Sequence, residues 1–285
     1  MLPHPSPPGQ RRPVADQPAA TSTGQRDVGP APTIGRRGST TTLDRRGHVI
    51  SGSTFQHLTG RVWLLPGDPD PLAVQAGVAL ITDERGGVLV DAGQSPAHAR
   101  EIRAALAATG LPEPCWLVYT HHHWDHVWGA CAWPGVEIVG HVAGESLLRA
   151  EAARPWSHRY LREQVRTEPR LGPSFRARAL AMETFDDFAV LPPTRTFTDE
   201  MELPTGVRLR HVGGRHAPDS TAVLVPDSGV MLLGDCWYPP PAHLREPDDG
   251  PDLALVRQLL DDAYGWYVSS HSEPMTLAGA RAALA

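Results

Sequence analysis

The sequence predicts an α/β (α+β) protein built on two mixed β-sheets that face each other, with helices outside. Short apolar strand runs alternate with helical stretches along most of the chain. Several of those runs are joined by tight turns into hairpins, which argues against a doubly wound parallel sheet. No glycine-rich phosphate loop follows a strand, which argues against it again. A chain of 285 residues can bury the core of one domain, or of one domain with a cap.

Residues 1–56 are rich in Pro, Gly, Ser, Thr and Arg, as in Pro3-His4-Pro5-Ser6-Pro7-Pro8. Such a segment cannot bury enough apolar surface to offset its ordering entropy, so a disordered extension is expected there. The folded domain is expected over 57–285. Arg61 to Leu65 reads as a strand and Leu72 to Thr82 as a longer one. The turn Asp83-Glu84-Arg85-Gly86-Gly87 leads into a strand over Val88 to Val90, so the hairpin delivers Asp91 to a sheet edge. Pro96 to Thr109 reads as a helix with Ile102, Leu106 and Ala107 on its apolar stripe and Gly110 closing it. Cys115 to Tyr119 and Val136 to Val139 read as strands, and Ala143 to Ala153 as a helix with Leu147 and Leu148 inward.

Residues 154–193 are less regular and hold Trp156, His158, Tyr160, Phe175, Phe185 and Phe188 with several Arg. They read as a helical cap insertion, either a lid over a cleft or a peripheral unit packed by its own aromatics. Val207 to Val212 is the next strand. Thr221 to Val225, the turn Pro226-Asp227-Ser228-Gly229 and Val230 to Leu233 form a hairpin that ends at Gly234-Asp235. Asp249 and Pro251 can start a helix carrying Leu253, Val256, Leu259 and Leu260. Tyr264 to Val268 is a strand, and Pro274 to Ala285 a closing helix.

The net charge of −6 gives no general nucleic-acid surface. No uncharged apolar run of 18 residues offers a membrane span, and no targeting segment is evident. Cys115, Cys131 and Cys236 form neither a C-x-x-C pair nor a disulfide framework, so a reducing cytoplasm is the expected compartment. A small-molecule substrate is expected, with no nucleic-acid or membrane partner; a homo-oligomer is compatible with the sequence.

His121-His122-His123-Trp124-Asp125-His126 carries the chemistry. It follows a buried strand and has the order H-x-H-x-D-H. Alternate side chains at a strand exit point the same way, so His121 and His123 can reach one ion, and Asp125 and His126 a second as the chain turns. Such groups, crowded and buried, would be costly without partners. More ligand types stand at other strand ends: His216 in Gly213 to Ser220, Asp235 after Gly234, and His271 in Val268 to Ser272.

With Leu89-Val90-Asp91-Ala92-Gly93, these segments resemble the metallo-β-lactamase superfamily over roughly residues 60–285. The resemblance implies the four-layer αββα sandwich of that family. It implies a first metal held by His121, His123 and His216, and a second held by Asp125, His126 and His271. Asp235 would bridge the two, as would a water or hydroxide, and Asp91 would support the metal loop. The chain departs from the family's G-H-T and G-H-G, reading Arg215-His216-Ala217 and Ser270-His271-Ser272. Neither change removes a ligand, but substrate identity does not carry over.

Imidazoles and carboxylates of this kind suit zinc, two ions per chain, with iron the alternative. Two metals can hold a hydroxide at neutral pH that attacks the carbonyl of a small ester, lactone, thioester or lactam. Asp125 is then the catalytic residue that orients the water or shuttles its proton. The competing readings are a mononuclear-iron sulfur-substrate dioxygenase of the same fold and a metal-stabilised binding protein. A flavin-coupled diiron enzyme would have H-x-E where this chain has His123. His122 should point away from the ions. His141, His158, His211 and His243 read as surface or locally bonded groups, and Cys236 and Cys131 as packing. Among the aromatics near the metal segments, Trp128 and Trp237 are candidate pocket walls and Tyr238 a candidate donor to a developing oxyanion. No G-x-S-x-G nucleophile turn is present.

Overall fold

The computed structural model describes residues 41–43, 49–51 and 54–285, with side chains from residue 54 onward. Most of the expected extension over 1–56 therefore lies outside the described residues. Within it, β1 (Thr41–Leu43) and β2 (Val49–Ser51) pair as an antiparallel ribbon. The first large sheet begins with β3 (Gln56–Thr59), β4 (Val62–Leu65), β5 (Val78–Ile81) and β6 (Gly87–Val90), paired antiparallel in sequence. Helix α1 (Pro96–Thr109) crosses to β7 (Pro114–Val118), which lies parallel to β6. The short α2 (Trp124–Val127) and a 3₁₀ stretch over Trp128–Ala132 lead to β8 (Glu137–His141). Helices α3 (Val142–Ala152), α4 (His158–Thr167) and α5 (Gly172–Ala181) precede β9 (Arg195–Phe197), and β7, β8 and β9 are parallel.

The second sheet holds β10 (Glu200–Glu202), β11 (Arg208–His211), β12 (Thr221–Val225) and β13 (Val230–Gly234), all antiparallel. Helix α6 (Leu253–Leu259) crosses to β14 (Trp266–Ser269), parallel to β13, and β15 (Met275–Thr276) closes the edge before α7 (Leu277–Ala283). The sheets have seven and six strands in sequential order.

Strand alternation sorts the core into three layers, and these define the four-layer αββα sandwich. Ala79, Ile81, Val88, Val90 and Val118 meet Leu209, Val223, Val225, Val230 and Leu232 between the sheets. Their neighbours Leu80, Leu89 and Leu117 turn outward onto Ile102 and Leu106 of α1. On the other side Leu224, Met231 and Leu233 pack on Val256, Leu259 and Ala280 of α6 and α7. Both faces of the central strands are covered, which is why they read as continuous apolar runs.

Several expected bounds shift for local reasons. Leu72–Gly77 is not strand: the Asp70 carboxylate accepts from Leu72 N–H at 2.9 Å, making a turn, and Val74 takes φ 49°. Leu72 is 75% exposed, and Gly77 N–H donates to the Ser270 carbonyl at 2.7 Å, tying this loop to the other half of the molecule. In α1 the Ser95 side chain accepts from His98 N–H, Gly110 closes the helix at φ 73°, and Ala105 rather than Ala107 is buried. Asp252, not Asp249, caps α6, and Leu260 falls just beyond it. The closing helix starts only at Leu277, after Met275 and Thr276 have paired with β14. Within 154–193 only His158–Thr167 and Gly172–Ala181 are α-helical, as α4 and α5 with a 3₁₀ turn between them, and residues 182–193 are irregular. Among the described residues no helix is long and apolar enough to cross a membrane.

Candidate metal centre and its cavity

The candidate site forms at the carboxyl ends of β6, β7, β13 and β14. Asp91, immediately after β6, adopts φ 67°, a left-handed conformation that Asp tolerates better than most residues. This aims its carboxylate back at the next loop. It accepts from Thr120 N–H at 2.8 Å, from the Thr120 hydroxyl at 2.9 Å and from His126 Nδ1–H at 2.7 Å. Asp91 thereby fixes the His126 tautomer and leaves Nε2 as a lone pair facing the centre. The Thr120 carbonyl accepts from Thr221 N–H at 2.8 Å, so the same residue ties the first metal loop to the second sheet.

The seven expected ligands converge in two groups. His121, His123 and His216 form one; Asp125, His126, Asp235 and His271 form the other, and the ligand atoms of each group lie within 4.8 Å of one another. In the first group His121 Nε2 is 2.9 Å from His123 Nδ1, which is 2.9 Å from His216 Nε2, which is 3.2 Å from His121 Nε2. In the second, His271 Nε2 lies 3.1 Å from Asp125 Oδ2 and 3.5 Å from Asp235 Oδ2. Asp235 Oδ2 also lies 3.2 Å from His216 Nε2, so this oxygen faces both groups.

The hydrogen bonds test whether metal ions suit these residues. His216 Nδ1 faces the Pro239 carbonyl at 2.9 Å and must carry the proton there. The Thr120 hydroxyl donates to Asp91, so it accepts from His121 Nδ1–H at 3.1 Å. Both Nε2 atoms are then bare lone pairs pointed at each other, an arrangement that repels unless a cation lies between. A tetrahedral zinc with Zn–N of about 2.0–2.1 Å spaces its nitrogens about 3.3 Å apart, close to the observed triangle. In the second group His126 Nε2 and Asp235 Oδ1 are buried with no hydrogen-bond partner. The residues fit a pair of metal ions.

The electrostatics agree. Burial, then the neighbouring imidazoles, drives His121 and His123 far below the usual histidine range, so both are neutral ligand-ready rings. Burial would raise Asp125 and Asp235, but the neighbouring His126 charge and a hydrogen bond from His271 hold both carboxyls well below their ordinary value. Burial would lower His126 and His271, yet the same carboxylates push His126 well up and His271 to about 10. Carboxylates that draw protons onto these rings mark where positive charge is demanded, and a bound cation displaces such protons.

A cavity of about 1320 Å³ opens over the two groups and is lined by His123, Asp125, His216, Asp235 and His271 together with α4 and α5. Tyr238 lines it, with its ring perpendicular to His271 at 5.5 Å between centroids. Trp128 and Trp237 do not. The 3₁₀ turn carries Trp128 into the core, where it is 1% exposed and packed on Trp124, Trp156 and Phe188. Trp237 packs against the core under α6 and α7. The cavity wall is Trp124 instead, joined by Phe175 and Arg178 from α5, which sequence reading did not single out. Phe175 and Arg178 sit on an irregular, arginine-rich stretch with no motif spacing, and only its aromatic content hinted at a role; Trp124 lies inside the ligand motif, whose spacing speaks for its histidines and carboxylate alone.

The remaining groups behave largely as local chemistry predicts. His122 points away and bonds the buried Asp219 at 2.7 Å. His141 and His211 stack at 3.7 Å and bond the Thr198 and Pro218 carbonyls. His158 faces the Glu183 carbonyl, whereas His243 lines the cavity. Cys236 is buried, and burial pushes its thiol up to about 12.

A buried imidazole–carboxylate cluster at the strand ends of an αββα sandwich is the layout of a metal-dependent hydrolase fold. The chain belongs to the metallo-beta-lactamase superfamily, whose family model matches residues 73–271. Among solved structures it is similar to a metallo-beta-lactamase from Hirschia baltica, at 18% identity and a TM-score of 0.56, covering 81% of this chain and 95% of that one. It is similar also to a metallo-beta-lactamase from Erythrobacter litoralis, at 19% identity and a TM-score of 0.54, with 81% and 93% covered. The DIM-1 metallo-beta-lactamase matches at 14% identity and a TM-score of 0.53, over 80% and 93%. These likenesses speak to fold alone. No curated protein matches the sequence.

Proposed function

We propose that the chain is a dizinc hydrolase that cleaves the carbonyl bond of a small ester, lactone, thioester or lactam. The observation that carries this reading is the pair of converging ligand groups with orphaned lone pairs at the floor of a cavity. His121, His123 and His216 would hold one ion, Asp125, His126 and His271 the other, and Asp235 both. Bound zinc would supply Lewis acidity and a water whose pKa falls from 15.7 to about 7. The protein's own contribution is positioning. Asp91 and the Pro239 carbonyl set the tautomers of His126 and His216. Asp125, ionised and lining the cavity, accepts the proton-bearing side of the attacking water and so orients it. Tyr238, a phenol protonated at neutral pH and raised further by burial, can donate to a developing oxyanion. The three cysteines are unpaired, which supports a reducing, cytoplasmic setting.

Metal analysis of the purified protein should give about two zinc equivalents per chain. A panel of chromogenic lactam, aryl ester, lactone and thioester substrates on zinc-loaded protein should then show turnover. No zinc, or a single iron, rejects the dizinc reading; one iron favours the sulfur-substrate dioxygenase. Asp125→Asn should keep the fold and lower kcat by about 10² to 10⁴-fold, the usual scale for a positioned acid–base group. Equal rates in variant and wild type at equal metal occupancy would remove Asp125 from the chemistry.

A further inference from the structure

Arg178 occupies an unusual place for a cation. Its guanidinium carbon lies over four aromatic rings: Phe175 at 4.7 Å, Trp128 at 5.4 Å, Trp124 at 5.6 Å and Trp156 at 5.6 Å. Its Nε is buried with no hydrogen-bond partner. Among the described residues it has no ion-pair partner. The nearby Glu151 is engaged by Arg154 at 3.1 Å. Burial pulls the guanidinium down to about 10, so it is still charged at neutral pH. The four rings return part of its lost hydration through their π-faces, and they clamp the guanidinium in one orientation. They supply no acceptor for its N–H groups, which buried donors normally find.

Arg178 is also one of the residues lining the cavity over the metal groups. It shares Trp124 with the site: that ring stands in the chain between His123 and Asp125, both of which line the cavity too. The wall around it is apolar, from Leu161, Val165 and Phe175. Arg162, Arg166 and Arg176 also line the cavity, and none has an ion-pair partner among the described residues. The same cavity carries the carboxylates Asp68, Asp70, Asp125 and Asp235. A planar, pre-oriented fork in an apolar wall is nonetheless suited to capturing an oxyanion.

We propose that Arg178 is the anion anchor of the substrate site, so that the preferred substrate is an apolar body carrying one oxyanion group, held by Arg178 while the scissile bond lies at the metal centre. This rests on reading the cavity as the substrate site of the proposed hydrolase. Arg178 is here a binding and specificity residue, and the substrate's anion completes the partner set that the aromatic cage leaves open.

The test uses two fluorescent probes of nearly the same apolar body on the full-length, zinc-loaded protein. 8-Anilinonaphthalene-1-sulfonate carries the anion; N-phenyl-1-naphthylamine lacks it. Wild type should bind the sulfonate about ten- to a hundredfold tighter, as charged hydrogen bonds imply. Arg178→Gln should abolish that preference while leaving binding of the neutral probe unchanged, and Arg178→Lys should retain part of it. Thermal melts and zinc content identify variants that are folded and loaded; should Arg178→Gln fail to fold, Arg178→Met, which keeps the aliphatic stem, replaces it. Equal affinity of wild type for the two probes overturns the proposal. So does a preference that a folded variant keeps, which would leave Arg178 as mortar between the rings. Loss of the hydrolase reading in the substrate panel does not move the probe ratio, so the two failures are told apart.

Discussion

His98 shows at the scale of one residue how burial sets the response to pH. It is 5% exposed on α1, its Nδ1 accepts from Gln94 N–H at 3.3 Å, and burial holds its pKa at about 4 against an ordinary 6.5. The unfolded chain therefore binds this proton at a higher pH than the folded one. The stability this group contributes is fully present above pH 6.5 and is lost as the pH drops toward 4. The shift corresponds to about 3 kcal/mol. His98→Asn keeps an acceptor for Gln94 and has nothing to titrate, so its urea-unfolding free energy should fall less than that of wild type across this window. Equal falls would place the acid sensitivity elsewhere. At this scale the candidate ligands were legible because H-x-H-x-D-H is a local pattern at a strand exit, and Asp91 because it ends a recognisable hairpin. Arg178 and Trp124 were not. The rings that cage Arg178 come from α2, the 3₁₀ stretch after it, the approach to α4, and α5, and nothing in their sequence separation announces that they meet.

At the scale of elements, the tight packing of the Trp128–Ala132 turn against the Asp91 loop carries the geometry of the first metal segment. Gly129 N–H donates to the Gly93 carbonyl at 2.8 Å. A Cβ at Gly129 would run into the Ala92 carbonyl and come within 3.0 Å of the Gly93 oxygen, all backbone atoms with little room to give. Gly129→Ala should destabilise the protein by about 1–3 kcal/mol, as overpacking does. It should also weaken metal retention, because Ala92 N–H donates to the His126 carbonyl at 2.6 Å. A variant with unchanged melting temperature and zinc content would show that the loop can yield. The central strands were legible as unbroken apolar runs bounded by turn residues. The edge strands were not: Glu200-Met201-Glu202 has one covered face and one wet one, and is too short to show alternation. The loop at 67–77 misled because its apolar residues face a cavity and the other half of the chain rather than a sheet.

At the scale of the whole molecule, the candidate site is shared between the sheets. His121, His123, Asp125 and His126 follow β7, whereas His216, Asp235 and His271 belong to the second sheet and its loops. Ions bound across that seam would stabilise the folded state by mass action, about 2.7 kcal/mol for one site at a hundred times its Kd. Chelation of zinc should lower the melting temperature by about 5–10 °C, and added zinc should restore it. A protein stripped of zinc that melts unchanged would show that the seam holds without metal.

The two halves are also alike. In each, an antiparallel hairpin, β5–β6 or β12–β13, ends on an aspartate, Asp91 or Asp235. In each, a helix then crosses to a strand lying parallel to the second hairpin strand, β7 or β14, and histidines follow its end. Such a plan is what tandem duplication of one strand–strand–helix–strand ancestor would leave, with descent recorded in architecture after the letters have diverged. On that history the seam that gathers the candidate ligands would be the join of a gene fusion, each copy contributing the groups at its own strand ends.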